Sequence, residues 1–254
     1  MEKSLFKTMR NAAAMGALFC LGGCATMGQG LTLGRDAPEG FSWGAPSPSE
    51  MSFRALSMDG KPYTLYMKTG DFFAPVEFSP SRSLAGKYPA PLSSKIEFYE
   101  RSAEGGKTFF APVLTVQSDG VRDAVFAVSA SGDGKFKSVC VDIGLEKMPL
   151  ASFSVVNMSP RNMGFTLGRS SFMLKPFGSK TEAFPSGEPE IKSATLRTYD
   201  VGNPKAPKLI ISKTYSFWTD KRMVVFVFDL PRASDEGFTD NNIPASIMYD
   251  RGPR

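Results

Sequence analysis

Short runs of alternating apolar and polar residues, each ended by a turn signal, set the strongest constraint on the fold of this chain. MSFRALSM, PYTLYMK, FFAPVEF and TFFAPVLTV are examples. A period of two is typical of β-strands with one buried face, and no segment keeps a helical apolar period over three turns. The sequence therefore predicts an all-β protein. Asp59-Gly60 predicts a hairpin between MSFRALSM and PYTLYMK, and Gly105-Gly106 predicts a second one.

The length of this strand-rich region sets the number of domains. A β-sandwich takes about 100 residues, so roughly 200 structured residues indicate two. We predict two tandem antiparallel β-sandwich domains of immunoglobulin-like type, at 51–147 and 148–254. The segments 73–80 and 153–160 share the pattern F-x-x-V-x-x-S-P. That match suggests an internal duplication, although four shared positions also arise by chance.

The first 23 residues are typical of an export signal. Basic residues precede an apolar run at 12–21 that is shorter than the roughly 20 residues of a spanning helix. The following Leu21-Gly22-Gly23-Cys24 resembles the lipobox of bacterial lipoproteins. The resemblance implies cleavage before Cys24 and lipid attachment to its thiol, and the alternative is an ordinary signal peptide with a chance cysteine. Ala25, where inner-membrane lipoproteins commonly carry aspartate, favours an outer-membrane lipoprotein that faces the periplasm or the surface.

Residues 24–50 are rich in glycine and proline and show no sustained apolar period. We predict that they form a flexible tether, which as a coil of about 26 residues would span about 25 to 30 Å r.m.s.. Phe41 and Trp43 are two large aromatic residues within this Gly/Pro-rich segment. We expect them to dock on the folded body, and lipid contact is the alternative.

Composition excludes several classes of function. Loss of the signal leaves 27 basic against 24 acidic residues, a charge of +3 without a basic run, which argues against nucleic-acid binding. The chain has no histidine, which removes Ser-His-Asp and Cys-His catalysis and most zinc sites. Cys140 is the one cysteine left besides the acylated Cys24, so no intrachain disulfide forms. We expect Cys140 to be a small buried residue of a strand.

Three apparent catalytic or metal-binding patterns carry little weight. Residues 40–44 match G-x-S-x-G but lie in the Gly/Pro-rich tract, and no histidine exists to activate the serine. The acidic residues 235–240 fit no calcium loop. Four carboxylates lie in or beside predicted strands and would support glycosidase chemistry only if two of them converged. These are Glu77, Glu97, Asp142 and Asp229. We therefore predict a non-enzymatic protein without a cofactor or metal.

A segment at 152–176 resembles a family of uncharacterised exported bacterial proteins with two β-sandwich domains. The residues that carry the resemblance are Asn157, Ser159, Pro160, Arg161, Gly168, Trp218 and Arg222. The family pattern is V-N-hydrophobic-S-P-R, then L-G, then L-K-P-G, and here Phe177-Gly178 replaces the glycine directly after Lys-Pro. The resemblance implies export and a sandwich fold but no activity. We expect Asn157 to bond backbone groups of the Ser-Pro turn and Arg222 to pair with Asp220 or Asp200.

Two functional classes remain after these exclusions. The first is a non-catalytic, lipid-anchored envelope protein that binds another protein through a sandwich face or an open sheet edge. The second is a carbohydrate-binding module, which needs a row of exposed aromatic rings. Exposure of Trp218, Phe172, Phe177 and Phe184 separates the two.

Overall fold

The computed structural model describes residues 30–80, 87–130, 135–183, 191–202, 206–218, 220–227 and 245–250. The predicted signal 1–23 and Cys24, with the lipobox residues Leu21, Gly22 and Gly23, lie outside these ranges. Within them the chain forms seventeen β-strands and no helix. The all-β prediction is confirmed.

The strands follow one another along the described residues in both units. They are β1 (Thr32–Leu33), β2 (Glu50–Ser57), β3 (Tyr63–Thr69), β4 (Phe72–Phe78), β5 (Tyr88–Pro91), β6 (Lys95–Glu104), β7 (Lys107–Gln117), β8 (Asp123–Ala130), β9 (Phe136–Asp142), β10 (Ser152–Asn157), β11 (Met163–Leu167), β12 (Ser170–Leu174), β13 (Ser179–Ala183), β14 (Ile191–Asp200), β15 (Lys208–Trp218), β16 (Arg222–Val227) and β17 (Ala245–Asp250).

The chain divides into two compact units between Gly144 and Leu145. The first unit contains β1 to β9 and the second β10 to β17. The predicted boundary at 147/148 lies close to this division.

Two sheets enclose an apolar core in the first unit. One has the strand order β1-β7-β6-β3-β4 and the other the order β5-β2-β8-β9. Alternate residues of both sheets point inward, and the rings of Phe53, Phe98 and Phe126 are fully buried among them. Phe53 stacks on Phe126 with ring centroids 4.4 Å apart. Burial of such rings, at about 1.5 to 3 kcal/mol each, holds the sheets together.

The second unit repeats this arrangement strand for strand. Its sheets have the orders β12-β11-β14-β15 and β13-β10-β16-β17. When β2 is matched with β10, β3 with β11 and so on to β9 with β17, every pairing of one unit recurs in the other. The first unit alone carries an additional strand, β1, on the edge of β7.

One pairing in each unit is parallel, so the prediction of purely antiparallel sheets is wrong. β2 runs parallel to β8, and β10 runs parallel to β16. All six residues of β10 and of β16 are buried, which is the pattern of central strands covered on both faces. Immunoglobulin constant-type domains arrange their strands as ABED and CFG. Here the first strand of each repeated set, β2 or β10, lies between the fourth and the seventh strands of that set.

Two local irregularities also recur at matching positions. Gly70 and Gly168, both with φ near +58°, occupy the first central position of the two-residue hairpin turns β3–β4 and β11–β12. That position demands φ above zero, which favours glycine. The hairpins β6–β7 and β14–β15 each carry a bulge, before Tyr99 and before Tyr199. Shared order, turn and bulge identify the units as two copies of one architecture.

The correspondence predicted from F-x-x-V-x-x-S-P is wrong, because 73–80 begins in β4 and 153–160 begins in β10. The structural match joins Ser52-Phe53 to Ser152-Phe153, since Ser52 lies opposite Asp123 in the parallel pair and Ser152 lies opposite Arg222. The repeat therefore has an offset of one hundred residues at this point.

The hairpin predicted at Asp59-Gly60 is not formed. The strands on either side, β2 and β3, belong to different sheets, so this segment arches from one sheet to the other. The Gly105-Gly106 hairpin is confirmed, with Glu104 paired to Lys107 and both glycines at positive φ.

Candidate functional site

Residues 31–44, which we call the strap, cross the first unit instead of forming a free tether. Thr32 pairs with Phe110 on β7, and the Gly34 amide donates to the Thr108 carbonyl at 3.1 Å. A few residues later the strap reaches β4 at the opposite edge of the sheet, where the Ala37 amide donates to the Phe73 carbonyl at 3.0 Å. The predicted tether 24–50 is wrong over these residues.

Close packing explains how a segment without an apolar period is held. The rings of Phe73 and Phe110 stack with centroids 3.9 Å apart, and the strap passes over them at Gly34. A Cβ atom at Gly34 would lie 2.7 Å from both rings, closer than side-chain carbons approach one another. The glycine is therefore required by packing and not by chain flexibility.

Two aromatic rings secure the C-terminal half of the strap. The Trp43 indole donates to the Pro75 carbonyl at 2.8 Å and packs against the core of the first unit. Phe41 lies with its ring centroid 5.2 Å from Trp43 and from Phe72, edge to face in both cases. Docking of Phe41 and Trp43 on the folded body is confirmed. The G-x-S-x-G match at 40–44 thus belongs to a docked strap.

An open pocket of about 350 Å³ lies where the strap meets the sheet. Phe41, Pro38 and Pro75 form apolar parts of its lining, Tyr66 adds a phenol, and Asp36 and Arg101 add charges. Arg101 is on β6, so strap and sheet both contribute to the pocket.

The two charges in this pocket neutralise each other. Arg101 Nε and Nη2 donate to the two carboxylate oxygens of Asp36 at 2.6 and 2.8 Å, a bidentate pair. The hydrogen bond and charge of Arg101 hold the pKa of Asp36 below its usual value, although slight burial opposes this. Because Arg101 is already paired, the pocket suits a neutral ligand with hydroxyl groups better than an anion.

A buried polar corner in the second unit contains three residues of the family-like pattern. Asn157, fully buried at the end of β10, donates from Nδ2 to the carbonyls of Arg161, Leu174 and Lys175 at 2.9, 3.2 and 3.0 Å. Its Oδ1 accepts from the Ser159 amide, and the Ser159 hydroxyl accepts from the Arg161 amide at 3.1 Å. The expectation that Asn157 satisfies backbone groups is confirmed.

The other residues of that pattern do not converge on one site. Pro160 is exposed in the turn after Ser159, and Gly168 forms the β11–β12 turn. Arg161 donates to Asp200 at 3.0 Å across exposed surface. Trp218 lies at the end of β15 with the Lys221 ammonium 4.0 Å above its ring.

Arg222 is buried at the start of β16, and its Nη1 donates to the Met148 carbonyl at 3.2 Å. The sequence predicts a carboxylate partner for this side chain, Asp220 or Asp200. Asp200 accepts from Arg161, and the bond to Met148 makes Arg222 an anchor for the segment that leads into β10.

Sequence reasoning missed a matching corner in the first unit, at Asp59. Its carboxylate accepts from the Ser57 hydroxyl at 2.8 Å, from the Tyr63 phenol, and from the Lys61 and Ala130 amides at 3.3 and 3.0 Å. The signal was present as Asp before Gly, but the same dipeptide also marks hairpins.

The aromatic row required for a carbohydrate module is not formed by the side chains tested. Trp218 is 38% exposed, Phe172 is buried in the core of the second unit and Phe177 is half-buried. Phe184 lies outside the described residues. Cys140 is in β9 as expected, but it is only half-buried against the first core.

The candidate carboxylates have local structural partners. Glu77 accepts from the Thr64 hydroxyl, Glu97 from the Tyr99 phenol at 2.7 Å, and Asp142 from the Gly144 amide at 2.8 Å. Asp142 is in a different sheet from the other two. Asp229 lies outside the described residues.

The edge strand β15 carries three exposed apolar side chains, two at one end and one at the other. Leu209 and Ile210 are 48% and 41% exposed at the bulge, and Trp218 follows at the far end. β15 is the last strand of its sheet within the described ranges, whereas its counterpart β7 pairs with β1. The two units thus differ most at this edge.

In the described ranges, no set of three His, Cys, Asp or Glu side chains is arranged to hold a metal ion. Those same ranges contain no helix with the length and apolar character needed to cross a bilayer. No protein-family model matches the chain, and no curated protein matches it significantly.

Proposed function

We propose that this protein is a non-catalytic, lipid-anchored component of the cell envelope that binds another protein along the edge of β15. The observation that carries the proposal is the exposure of three apolar side chains on that strand, Leu209 and Ile210 at one end and Trp218 at the other. An edge strand offers unpaired backbone donors and acceptors to an extended partner segment, and exposed apolar side chains add affinity. In the first unit the equivalent strand, β7, pairs with β1 over two residues, Phe109 and Phe110, near its start.

The anchoring part of the proposal rests on Leu21-Gly22-Gly23-Cys24 and on Ala25, which favours the outer membrane. Two or three acyl chains on Cys24 would give a stable anchor. The tandem-sandwich arrangement is supported by two facing sheets in each unit. Its immunoglobulin-like classification is weakened by the strand order, because the first strand lies between the fourth and the seventh.

Glycan binding is the second candidate, and the pocket under the strap favours it. Phe41 and Tyr66 offer ring surface, and the Asp36–Arg101 pair offers hydrogen-bonding groups without net charge. These are the groups that a neutral sugar ring would contact.

Crosslinked co-purification from the native envelope tests the main proposal. Ile210→Lys places a charge on the β15 edge, and Met173→Lys is the matched control, since Met173 is as exposed but lies on β12 at the other edge of the same sheet. Cys24→Ser tests the anchor. We expect a stoichiometric protein partner that Ile210→Lys and Cys24→Ser lose and Met173→Lys retains.

Equal recovery of the partner with Ile210→Lys and Met173→Lys would contradict binding along β15. Recovery of envelope glycan without protein would favour the second candidate. In that case Tyr66→Ala should abolish glycan retention.

A further inference from the structure

The strap leaves an apolar patch exposed on one face of β1 and β7. Leu31 and Leu33 are 64% and 62% exposed, the highest values among the large apolar side chains of the described residues. Leu33 pairs with Phe109 on β7, and strand alternation places Leu31, Leu33 and Phe109 on one face. Thr32 and Phe110 lie on the other. We call Leu31, Leu33 and Phe109 the strap patch.

The charged residues that border the strap patch have no net charge. Arg35 follows on the strap and Lys107 begins β7, both exposed. Glu104 pairs with Lys107 and Glu100 with Ala111, so two carboxylates lie on the neighbouring strand. The charges cancel, and attraction to a surface must therefore come from apolar contact.

The position of the strap patch along the chain indicates what covers it. Leu31 is the seventh residue after Cys24, and a fully extended chain of that length spans at most about 25 Å. Fully extended, the predicted tether 24–50 would span about 90 Å. If Cys24 carries lipid, the strap patch stays within about 25 Å of the anchored residue. This short connection gives its apolar side chains a high effective concentration at the lipid surface.

We propose that the strap patch lies on the lipid surface beside the anchored cysteine, with Leu31 and Leu33 at the boundary between headgroups and acyl chains. Apolar faces of peripheral proteins bury about 5 to 10 Å into this boundary. The proposal rests on the proposed lipid anchoring. It adds that the first unit is held against the membrane at a defined face rather than displayed on a flexible stalk.

The test uses the acylated full-length chain reconstituted into phosphatidylcholine vesicles. Leu33→Cys in a Cys140→Ala background takes a polarity-sensitive fluorophore, and Ser212→Cys in the same background is the control, because Ser212 is exposed on β15. We expect nitroxide-labelled lipid to quench the label at position 33 and aqueous iodide to quench the label at 212. Because the bordering charges cancel, adding phosphatidylglycerol should leave this difference unchanged.

Two results would overturn the proposal in distinguishable ways. A label at position 33 that iodide reaches as readily as the label at 212, on a chain whose mass shows the acyl groups, contradicts the docking and leaves the anchor intact. A chain without acyl mass contradicts both the anchor and the docking.

Discussion

The two units share one architecture but treat the same sheet edge differently. In the first unit β1 pairs with the start of β7, at Phe109 and Phe110, and the strap passes over the stacked rings of Phe73 and Phe110. In the second unit the matching strand β15 ends its sheet within the described residues and carries exposed Leu209 and Ile210. The comparison teaches that the two units share a scaffold of repeated strands. They differ in whether a further strand pairs with the edge formed by β7 or β15 within the described residues.

The polar corners after β2 and β10 show a second difference, in charge. The first unit uses the carboxylate of Asp59, and the second uses the neutral amide of Asn157. Burial raises the pKa of Asp59, but hydrogen bonds from Tyr63, Ala130, Ser57 and Lys61 outweigh it and bring the pKa below its usual value of 3.8. The first corner is therefore sensitive to pH, and the second is not.

Asn157→Asp gives the largest expected effect and tests whether an amide is required in the second corner. The substitution keeps the shape but removes the donors to three backbone carbonyls, one of them buried and two partly buried, so we expect a loss of about 3 kcal/mol in the free energy of unfolding of the second unit. Urea unfolding measures it. A loss under about 1 kcal/mol would show that this corner tolerates a carboxylate as the first unit does.

Gly34→Val tests whether close packing holds the strap. A side chain at this position would enter the rings of Phe73 and Phe110, so we expect about 2 kcal/mol of destabilisation and faster amide exchange in β1. Gly44→Val is the control, because a Cβ atom there meets no other atom within 4 Å. Equal effects of the two substitutions would contradict a packed strap.

Tyr63→Phe separates the pH responses of the two corners. Burial and the hydrogen bond to Asp59 raise the pKa of Tyr63 to about 12. Because the pKa of Tyr63 is higher in the folded state, its protonated phenol stabilises the fold. This stabilisation is complete below the unfolded pKa near 10 and is lost as the pH rises toward 12. We expect the wild-type first unit to lose stability across that window.

The Tyr63→Phe variant should show a smaller alkaline loss, the remainder coming from Tyr99, whose pKa burial and Glu97 also raise to about 12, and be about 1 kcal/mol less stable at neutral pH. Unfolding curves at neutral pH and in the alkaline window measure both effects. An alkaline loss of the same size in the variant would show that another group causes it.

Arg101→Gln gives the smallest expected effect on stability, because the pair with Asp36 is exposed to solvent. It should raise the pKa of Asp36 toward its usual value, since the hydrogen bond from Arg101 is the main cause of the lowering. Because the pKa of Asp36 is lower in the folded state than in the unfolded state, its carboxylate stabilises the fold above the unfolded pKa. This stabilisation is lost as the pH falls through the folded pKa. An NMR titration of the Asp36 carboxyl measures the shift, and an unchanged pKa would contradict the bidentate pair.

The strands and several turns could be predicted from the sequence because their causes are local. Alternation identified β2 and β7, a continuous apolar run identified β16, and the Ser-Pro turn rules identified the role of Asn157. The sheet partners could not be predicted, because Asp59-Gly60 marks an arch between sheets as readily as a hairpin. The duplication was misaligned for the same reason, since four local matches carry no information about which strands pair.

The candidate sites depended on contacts between distant segments. The strap has a strand of only two residues, and its docking relies on the space that Gly34 leaves for two rings. The edge of β15 is exposed because no further strand pairs with it in the described part of the chain. The sequence of β15 itself therefore does not predict the open edge. The pocket combines Asp36 of the strap with Arg101 of β6, which are far apart in sequence.

The most direct test of the contrast between the two edges is amide hydrogen exchange of the full-length protein in its native envelope, compared with the purified protein. We expect the amides of β7 beside β1, near Phe109 and Phe110, to be equally protected in both preparations, because β1 pairs with β7 there. The amides of β15 should gain protection only in the envelope, where the partner is present. Equal exchange of β15 in both preparations would contradict the claim that the second unit uses its open edge for binding.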